Sequence, residues 1–302
     1  MQPKTGEKRS RRRLRHIAVL PSLVTLLNAV CGFASIHFAA RGMNQPDRLW
    51  LEKPELTFFA AAAWMIFFAM FADSLDGYLA RHSGSAGSFG GQLDSLADMV
   101  SFGIAPAFLM LRVVESSLAD LIGPASPAFG SLPGRLLWLM AVMYVCCTTL
   151  RLARFNVENS PDEAAHMGFK GLASPAAAGI IASLVLLHCD LLPELLRSQI
   201  IIYALPFATV AVAWLMVTRI PYAHVVNQFI RGRRPFRHVV LVVLVCLLLI
   251  WKLQLTLAIG FAAYGISGPA RRLWHKHIRR TATHTAPDHT ESHIRTLETR
   301  PK

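Results

Sequence analysis

The chain has 302 residues, of which 53% are hydrophobic and only 16% are charged. A typical soluble domain has about 25% charged residues, whereas this chain carries repeated apolar stretches near the roughly 20 residues that span a bilayer. These values exclude an ordinary soluble protein and indicate an integral membrane protein. The net charge of +13 does not indicate a nucleic-acid partner, because Lys and Arg concentrate on one side of the predicted topology.

The predicted fold class is all-α, a polytopic transmembrane bundle of about eight helices. The predicted spans lie near residues 17–40, 56–80, 93–112, 133–150, 172–189, 199–217, 237–251 and 253–269. We divide the chain into a basic N-terminal tail (1–16), a membrane domain (17–270) and a basic, polar, disordered C-terminal tail (271–302).

The distribution of the basic residues predicts the orientation of the chain. With the N-terminus inside, most of the 31 Lys and Arg residues fall on cytoplasmic segments, as the positive-inside rule requires. Both tails are then cytoplasmic, and this face of the protein can attract anionic lipid headgroups.

Four aspartates flank the Gly- and Ser-rich segment between the second and third predicted spans. Asp73 and Asp76 are three residues apart at the end of one span, and Asp94 and Asp98 are four apart at the start of the next. Each spacing places both carboxylates on one face of a helix. A turn at residues 82–91 would let the two helices fold back, so the four carboxylates would converge near the cytoplasmic interface.

Four ionised carboxylates at this depth need compensation, since each costs about 2.5–3.5 kcal/mol at the bilayer centre. Arg81 alone cannot neutralise them. Carboxylate oxygens suit Mg²⁺ or Mn²⁺, and four of them can hold two ions, a common device in phosphoryl chemistry. The alternative is a set of helix-end carboxylates solvated in a loop, which the regular spacing disfavours.

Small residues accompany the aspartates. Gly77, Ala80 and Gly90 would let a bulky group approach the backbone closely, and the Arg81 guanidinium suits a phosphate. Together with divalent cations, these residues suggest a ligand with a nucleotide diphosphate.

The pattern D-xx-D-G-xx-A-R-(x8)-G-xxx-D-xxx-D, from Asp73 to Asp98, resembles the signature of the CDP-alcohol phosphatidyltransferases. The resemblance implies a core of six transmembrane helices, a homodimer, a metal pair on the four aspartates, and Asp98 as the general base. The residues expected to bind the CDP group are Thr25, Asn28, Asp73, Gly77, Ala80, Arg81 and Gly90.

Segments elsewhere are similar to bacterial membrane-integral phosphatidylserine synthases: PSLVTLLNAVCGFASI, LRLARFN, FKGLASPAAAG, LMVTRIPY and YGISGP. This similarity implies transfer of a phosphatidyl group from CDP-diacylglycerol to L-serine in the bacterial inner membrane, among membrane lipids as partners. Since serine carries a carboxylate, a cationic pocket is expected. Its candidate residues are Arg151, Arg154, Lys170, Ser174 and Arg219, and headgroup anchoring is the alternative role for the basic ones.

Two further functions remain open from the sequence. One is the same chemistry with another acceptor, such as glycerol 3-phosphate or inositol. The other is a cation transporter that uses the aspartates as an ion path, although the carboxylates lie at helix ends and no internal repeat is evident.

Overall fold

The computed structural model describes residues 6–43, 57–83, 88–122, 130–158, 171–190, 195–220, 222, 248 and 252–284. These residues form α-helices and one π-helical segment, without a β-strand among them, so the all-α prediction is confirmed. The helices are α1 (Gly6–Gly42), α2 (Phe58–Ser83), α3 (Ser88–Asp98), α4 (Ala105–Ser117), α5 (Ala119–Ile122), α6 (Leu132–Glu158), α7 (Ser174–Asp190), α8 (Leu195–Val217) and α9 (Leu253–His284). The π segment (Met99–Ile104) joins α3 to α4.

Seven of the predicted spans coincide with helices, and the span at 237–251 lies outside the described residues except for Leu248. Within the described part of the chain, five stretches are long and apolar enough to cross a membrane: Ser22–Gly42, Phe58–Leu79, Phe89–Ser117, Leu132–Val157 and Gln199–Val217. Helix α7 is a shorter apolar helix, Ser174–Cys189. The chain is therefore a membrane protein with a helical bundle.

Small side chains bring the helices close together. Helix α2 packs on α1, α7 and α4, and its Ala60, Ala62, Ala63 and Ala69 are buried. Alanine at such an interface lets two backbones approach, so dispersion contacts replace the hydrophobic drive that lipid does not provide. The tightly packed α1–α2 pair holds the beginning of the bundle in place.

Helix α9 packs against α7 through glycines. A Cβ on Gly179 would lie 2.4 Å from the Phe261 ring, and one on Gly265 would lie 2.9 Å from Ile180. Both distances are shorter than ordinary carbon contacts, so the two helices are as close as they are only because these positions lack side chains.

The two tails are more helical than the sequence suggested. Helix α1 begins at Gly6 and α9 continues to His284, so residues 271–284, predicted as disordered, are helical. Extending an existing helix adds a hydrogen bond for each residue and avoids the cost of nucleation. This explains why α9 continues through the polar residues 271–284. Residues 285–302 lie outside the described part of the chain.

Candidate active site

Three of the four predicted aspartates converge. One carboxylate oxygen from each of Asp73, Asp94 and Asp98 lies within 4.8 Å of the other two. Asp73 comes from the end of α2, and the other two come from α3. The predicted convergence of two helix-face pairs is therefore present for these three residues, whereas Asp76 lies beside them and interacts electrostatically with Asp73 and Asp94.

Helix α1 supplies a polar partner to each of the two most buried aspartates. Thr25 donates a hydrogen bond from Oγ1 to Asp76 Oδ2, and Asn28 Nδ2 donates one to Asp98 Oδ1 at 3.1 Å. Thr25 and Asn28 are three residues apart and share one helix face. The sequence predicts that they contact the CDP group; in this structure their side chains bond to the carboxylates.

The chemistry of the cluster fits a divalent cation. The converging atoms are all oxygens, the donor set that Mg²⁺ and Mn²⁺ prefer. In addition, Asn28 Oδ1 is buried and has no hydrogen-bond partner among the described residues. Since buried polar atoms are normally satisfied, this oxygen beside Asp98 is an available acceptor at the edge of the site. The residues present therefore fit the expected metal.

A π-helical segment follows directly after Asp98. Its Ser101 donates a hydrogen bond to the backbone oxygen of Asn28 at 2.8 Å, and Tyr144 of α6 donates one to the backbone oxygen of Phe102 at 3.0 Å. A π turn leaves backbone groups without their usual α-helical partners, and such turns are frequent at functional sites. Here Ser101 and Tyr144 tie the turn to α1 and α6, and these bonds fix the register of Asp94 and Asp98.

Tyr144→Phe is expected to lower the free energy of unfolding by about 1–3 kcal/mol, because it leaves the buried Phe102 carbonyl without its donor. The measurement is thermal unfolding in detergent, with Tyr203→Phe as the matched control, since the Tyr203 ring is half exposed on α8. Equal stability of the two variants would show that the Tyr144 hydroxyl does not support the π segment.

A second group of predicted residues meets at the ends of α6 and α7. Arg151 Nη1 donates a hydrogen bond to Ser174 Oγ at 2.6 Å, and Ser174 is completely buried at the first position of α7. Arg151 also interacts electrostatically with Asp73 and Asp98. The structure therefore places this part of the predicted cationic pocket beside the aspartate cluster.

The start of α7 is anchored to the end of α8. Gly171 has a φ of +95° and donates its backbone N–H to the oxygen of Ile220 at 2.9 Å. A side chain here would be strained, and its Cβ would lie 2.5 Å from the Met216 oxygen. This turn fixes the direction in which the chain enters α7, and so the position of Ser174.

The remaining predicted residues are more dispersed or lie outside the described side chains. Gly77 is half buried on α2, and Gly90 is exposed on α3, where a Cβ would meet nothing within 4 Å. Residues 88–91 are thus the first turn of a helix rather than part of the predicted turn. Arg154 is half buried and Arg219 is exposed. The side chains of Ala80 and Arg81, and all of Lys170, lie outside the described part.

Several residues at the site were not predicted from the sequence. Tyr144 and Thr148 lie seven and three residues before the predicted Arg151 on one face of α6, a spacing that could have linked them to the site. Ser95 donates a hydrogen bond to Asn156 Oδ1 at 3.0 Å, which connects the aspartate helix to the end of α6. Tyr264, which interacts with Arg151, opens the YGISGP segment quoted above for its similarity, but no local pattern assigns this side chain a role.

Comparison with known proteins agrees with this site. The profile of the CDP-alcohol phosphatidyltransferase family matches residues 18–218. Two proteins named CDP-diacylglycerol–serine O-phosphatidyltransferase are similar over most of their length. The one from Methanocaldococcus jannaschii is 28% identical over 215 residues, 71% of this chain and 79% of that protein. The one from Bacillus subtilis is 30% identical over 205 residues, 68% of this chain and 90% of that protein.

Two further relatives show how far the similarity extends. The archaetidylserine synthase of Methanothermobacter thermautotrophicus is 30% identical over 218 residues, 71% of this chain and 73% of that protein. A Mycobacterium leprae protein, also named CDP-diacylglycerol–serine O-phosphatidyltransferase, is 32% identical over 186 residues, 61% of this chain and 51% of that protein. The match therefore spans about half the length of the mycobacterial relative.

Proposed function

Because this chain belongs to the CDP-alcohol phosphatidyltransferase family, we propose that it transfers the phosphatidyl group of CDP-diacylglycerol to the hydroxyl group of L-serine. The products are phosphatidylserine and CMP. The observation that carries this proposal is the convergence of Asp73, Asp94 and Asp98 within 4.8 Å, beside the half-buried cation Arg151. The names of the relatives support serine as the acceptor.

Asp98 is the group that we propose as the general base. Asn28 Nδ2 donates to its Oδ1, and among the described residues no donor occupies Oδ2, so Oδ2 is the atom that would take the proton of the serine hydroxyl. A base must be held within hydrogen-bond reach of the proton that it removes. The bond from Asn28 and the bracing of the π segment supply that fixed position.

The transfer exchanges one phosphorus–oxygen bond for another. The serine Oγ attacks the phosphorus that is esterified to diacylglycerol, the bond from that phosphorus to the oxygen of CMP breaks, and CMP departs. When two Mg²⁺ or Mn²⁺ ions are bound by Asp73, Asp76, Asp94 and Asp98, they supply neutralisation of charge on the diphosphate and on the departing CMP. Thr25 holds the Asp76 carboxylate in place.

Substrate binding is divided between two sides of the site. The residues proposed to hold CDP are Thr25, Asn28, Asp73, Gly77, Ala80, Arg81 and Gly90. The exposed, open side of Gly90 leaves room for a bulky group. Arg151 and Ser174 are proposed to bind the serine end, with Arg154, Lys170 and Arg219 as further cationic candidates.

The domain bounds, the membrane location and the oligomeric state are further parts of this proposal. The membrane domain is proposed to extend over residues 17–270, beyond the matched residues 18–218, because α9 packs closely on α7. The protein would lie in a bacterial inner membrane with both termini and the site on the cytoplasmic side, as the Lys and Arg distribution supports. A homodimer is proposed from the family resemblance.

An acceptor panel tests the proposal. Purified protein is given CDP-diacylglycerol with L-serine, glycerol 3-phosphate or inositol, and both CMP and the lipid product are identified by mass spectrometry. Serine is expected to give phosphatidylserine and CMP in equal amounts, with little product from the other acceptors. Phosphatidylglycerophosphate or phosphatidylinositol without phosphatidylserine would contradict serine as the acceptor while leaving the reaction class intact.

A further inference from the structure

Tyr264 has a half-buried side chain on α9 and lies outside the residues 18–218 that match the family profile. Its side chain interacts electrostatically with Arg151 of α6. Within the described part of the chain, its hydroxyl group has no hydrogen-bond partner. A hydroxyl group without a protein partner can donate a hydrogen bond to a ligand.

The ring of Tyr264 is packed in place, although no described residue bonds to its hydroxyl group. The Tyr222 ring lies 5.7 Å away from it between centroids, at an interplanar angle of 40°. Tyr222 is held in turn by a hydrogen bond from its hydroxyl to the Gly265 oxygen at 3.0 Å. A Cβ on Gly268 would lie 2.5 Å from the Tyr222 ring, so the absence of a side chain there makes room for this arrangement.

The same packing places Tyr264 relative to the serine-binding side of the site. Helix α9 is pressed onto α7 at Gly179 and Gly265, and α7 begins with Ser174, the acceptor of the Arg151 hydrogen bond. Arg151 therefore contacts the first residue of α7, and α9, which carries Tyr264, packs on the same helix. Arg151 interacts electrostatically with Tyr264 and also with Asp73 and Asp98, so it links the α9 tyrosine to the aspartate cluster.

We propose that Tyr264 is a specificity-determining residue whose hydroxyl group, together with Arg151, binds the carboxylate end of the acceptor alcohol. This inference rests on the proposed function, since it assigns the acceptor to that site. The guanidinium fork pairs with a carboxylate, and the hydroxyl donates a further hydrogen bond to it. A site built to hydrogen-bond a group discriminates strongly against an analogue that lacks it. Ethanolamine, which is serine without its carboxylate, should therefore be a poor acceptor.

The test compares the wild-type protein with Tyr264→Phe and with the control Tyr203→Phe. Tyr264→Phe keeps the ring packed on Tyr222 and removes only the hydroxyl. We expect a roughly tenfold rise in the KM for L-serine, the usual scale for one lost hydrogen bond to a charged group. The KM for CDP-diacylglycerol and the melting temperature should stay near the wild-type values, as should every parameter of Tyr203→Phe.

A purely structural role for Tyr264 would give a different result. In that case both KM values would rise together, or the melting temperature would fall without a selective change for serine, and the proposal would be overturned. A double-mutant cycle with Arg151→Lys adds a second readout. The two substitutions are expected to be non-additive in the KM for serine, because they touch the same ligand group; strict additivity would also count against the proposal.

CMP release by the wild-type protein with each acceptor distinguishes a failure of this inference from a failure of the proposed function. If the wild-type protein releases CMP with a different acceptor, serine is contradicted, and the KM for that acceptor then decides the role of Tyr264. A carboxylate-bearing acceptor with a raised KM in Tyr264→Phe would support the inference, and an acceptor without a carboxylate would overturn it. If no acceptor releases CMP, both proposals fail together.

Discussion

Asp98→Asn is expected to reduce CMP release by about 10²–10⁴-fold, the range that a positioned general base contributes. Asparagine has nearly the same size and can still pair with Asn28, but it cannot take the proton of the acceptor hydroxyl. The measurement is the initial rate of CMP formation at saturating CDP-diacylglycerol and L-serine.

The control for this prediction is the same substitution at an exposed aspartate. Asp120→Asn changes a residue on the short helix α5 and should leave the rate unchanged. Mn²⁺ binding, followed by electron paramagnetic resonance, should persist in Asp98→Asn through the other aspartates. A rate within a few-fold of the wild-type value would show that Asp98 is not the base.

Gly32→Ala is the second substitution with a large expected effect. The added Cβ would lie 2.5 Å from Ser101 Oγ and 2.7 Å from Ser101 Cα, so α1 and the π segment would have to separate. Asn28 lies one turn before Gly32, and Asp98 lies three residues before Ser101. Overpacking of this kind costs about 1–3 kcal/mol, and misplacement of catalytic groups by about 1 Å costs about 100-fold in rate. We expect both losses.

Gly260→Ala provides the matched control, because its Cβ would meet nothing within 4 Å. Alanine favours a helix over glycine by about 1 kcal/mol at either position, so Gly260→Ala should be neutral or stabilising. If only Gly32→Ala loses stability and activity, the loss is due to the contact between the added Cβ and Ser101. Wild-type activity and stability in Gly32→Ala would show that α1 and the π segment need not be in such close contact.

The sequence predicted the aspartate cluster because its information is local. Spacings of three and four residues place Asp73 with Asp76, and Asp94 with Asp98, on single helix faces, whatever the rest of the fold does. The segment between them was harder to predict. Its Gly and Ser residues suggested a turn through residue 91, but α3 already begins at Ser88, since flanking residues that pack in a bundle can override a weak helix propensity.

The hydrogen bonds that hold the aspartate helices in place join segments that are distant in the sequence. Ser101 bonds to Asn28 across 73 positions, and Tyr144 bonds to Phe102 across 42. Nothing in the apolar stretch MVSFGI marks it as π-helical, since the groups that hold this segment lie on α1 and α6. The assignment of Arg151 and Ser174 to one pocket came from resemblance, whereas their hydrogen bond and the role of Tyr264 needed the packing of the helices.

The most direct test of a metal-dependent transfer site at the aspartates is whether the formation of CMP and phosphatidylserine depends on a divalent cation. Purified wild-type protein is treated with a chelator, and CMP and phosphatidylserine are then quantified from CDP-diacylglycerol and L-serine before and after addition of Mg²⁺ or Mn²⁺. We predict that both products disappear together after chelation and return in equal amounts when either cation is restored. Undiminished formation of phosphatidylserine in the chelated protein would contradict a metal-dependent transfer site at Asp73, Asp94 and Asp98.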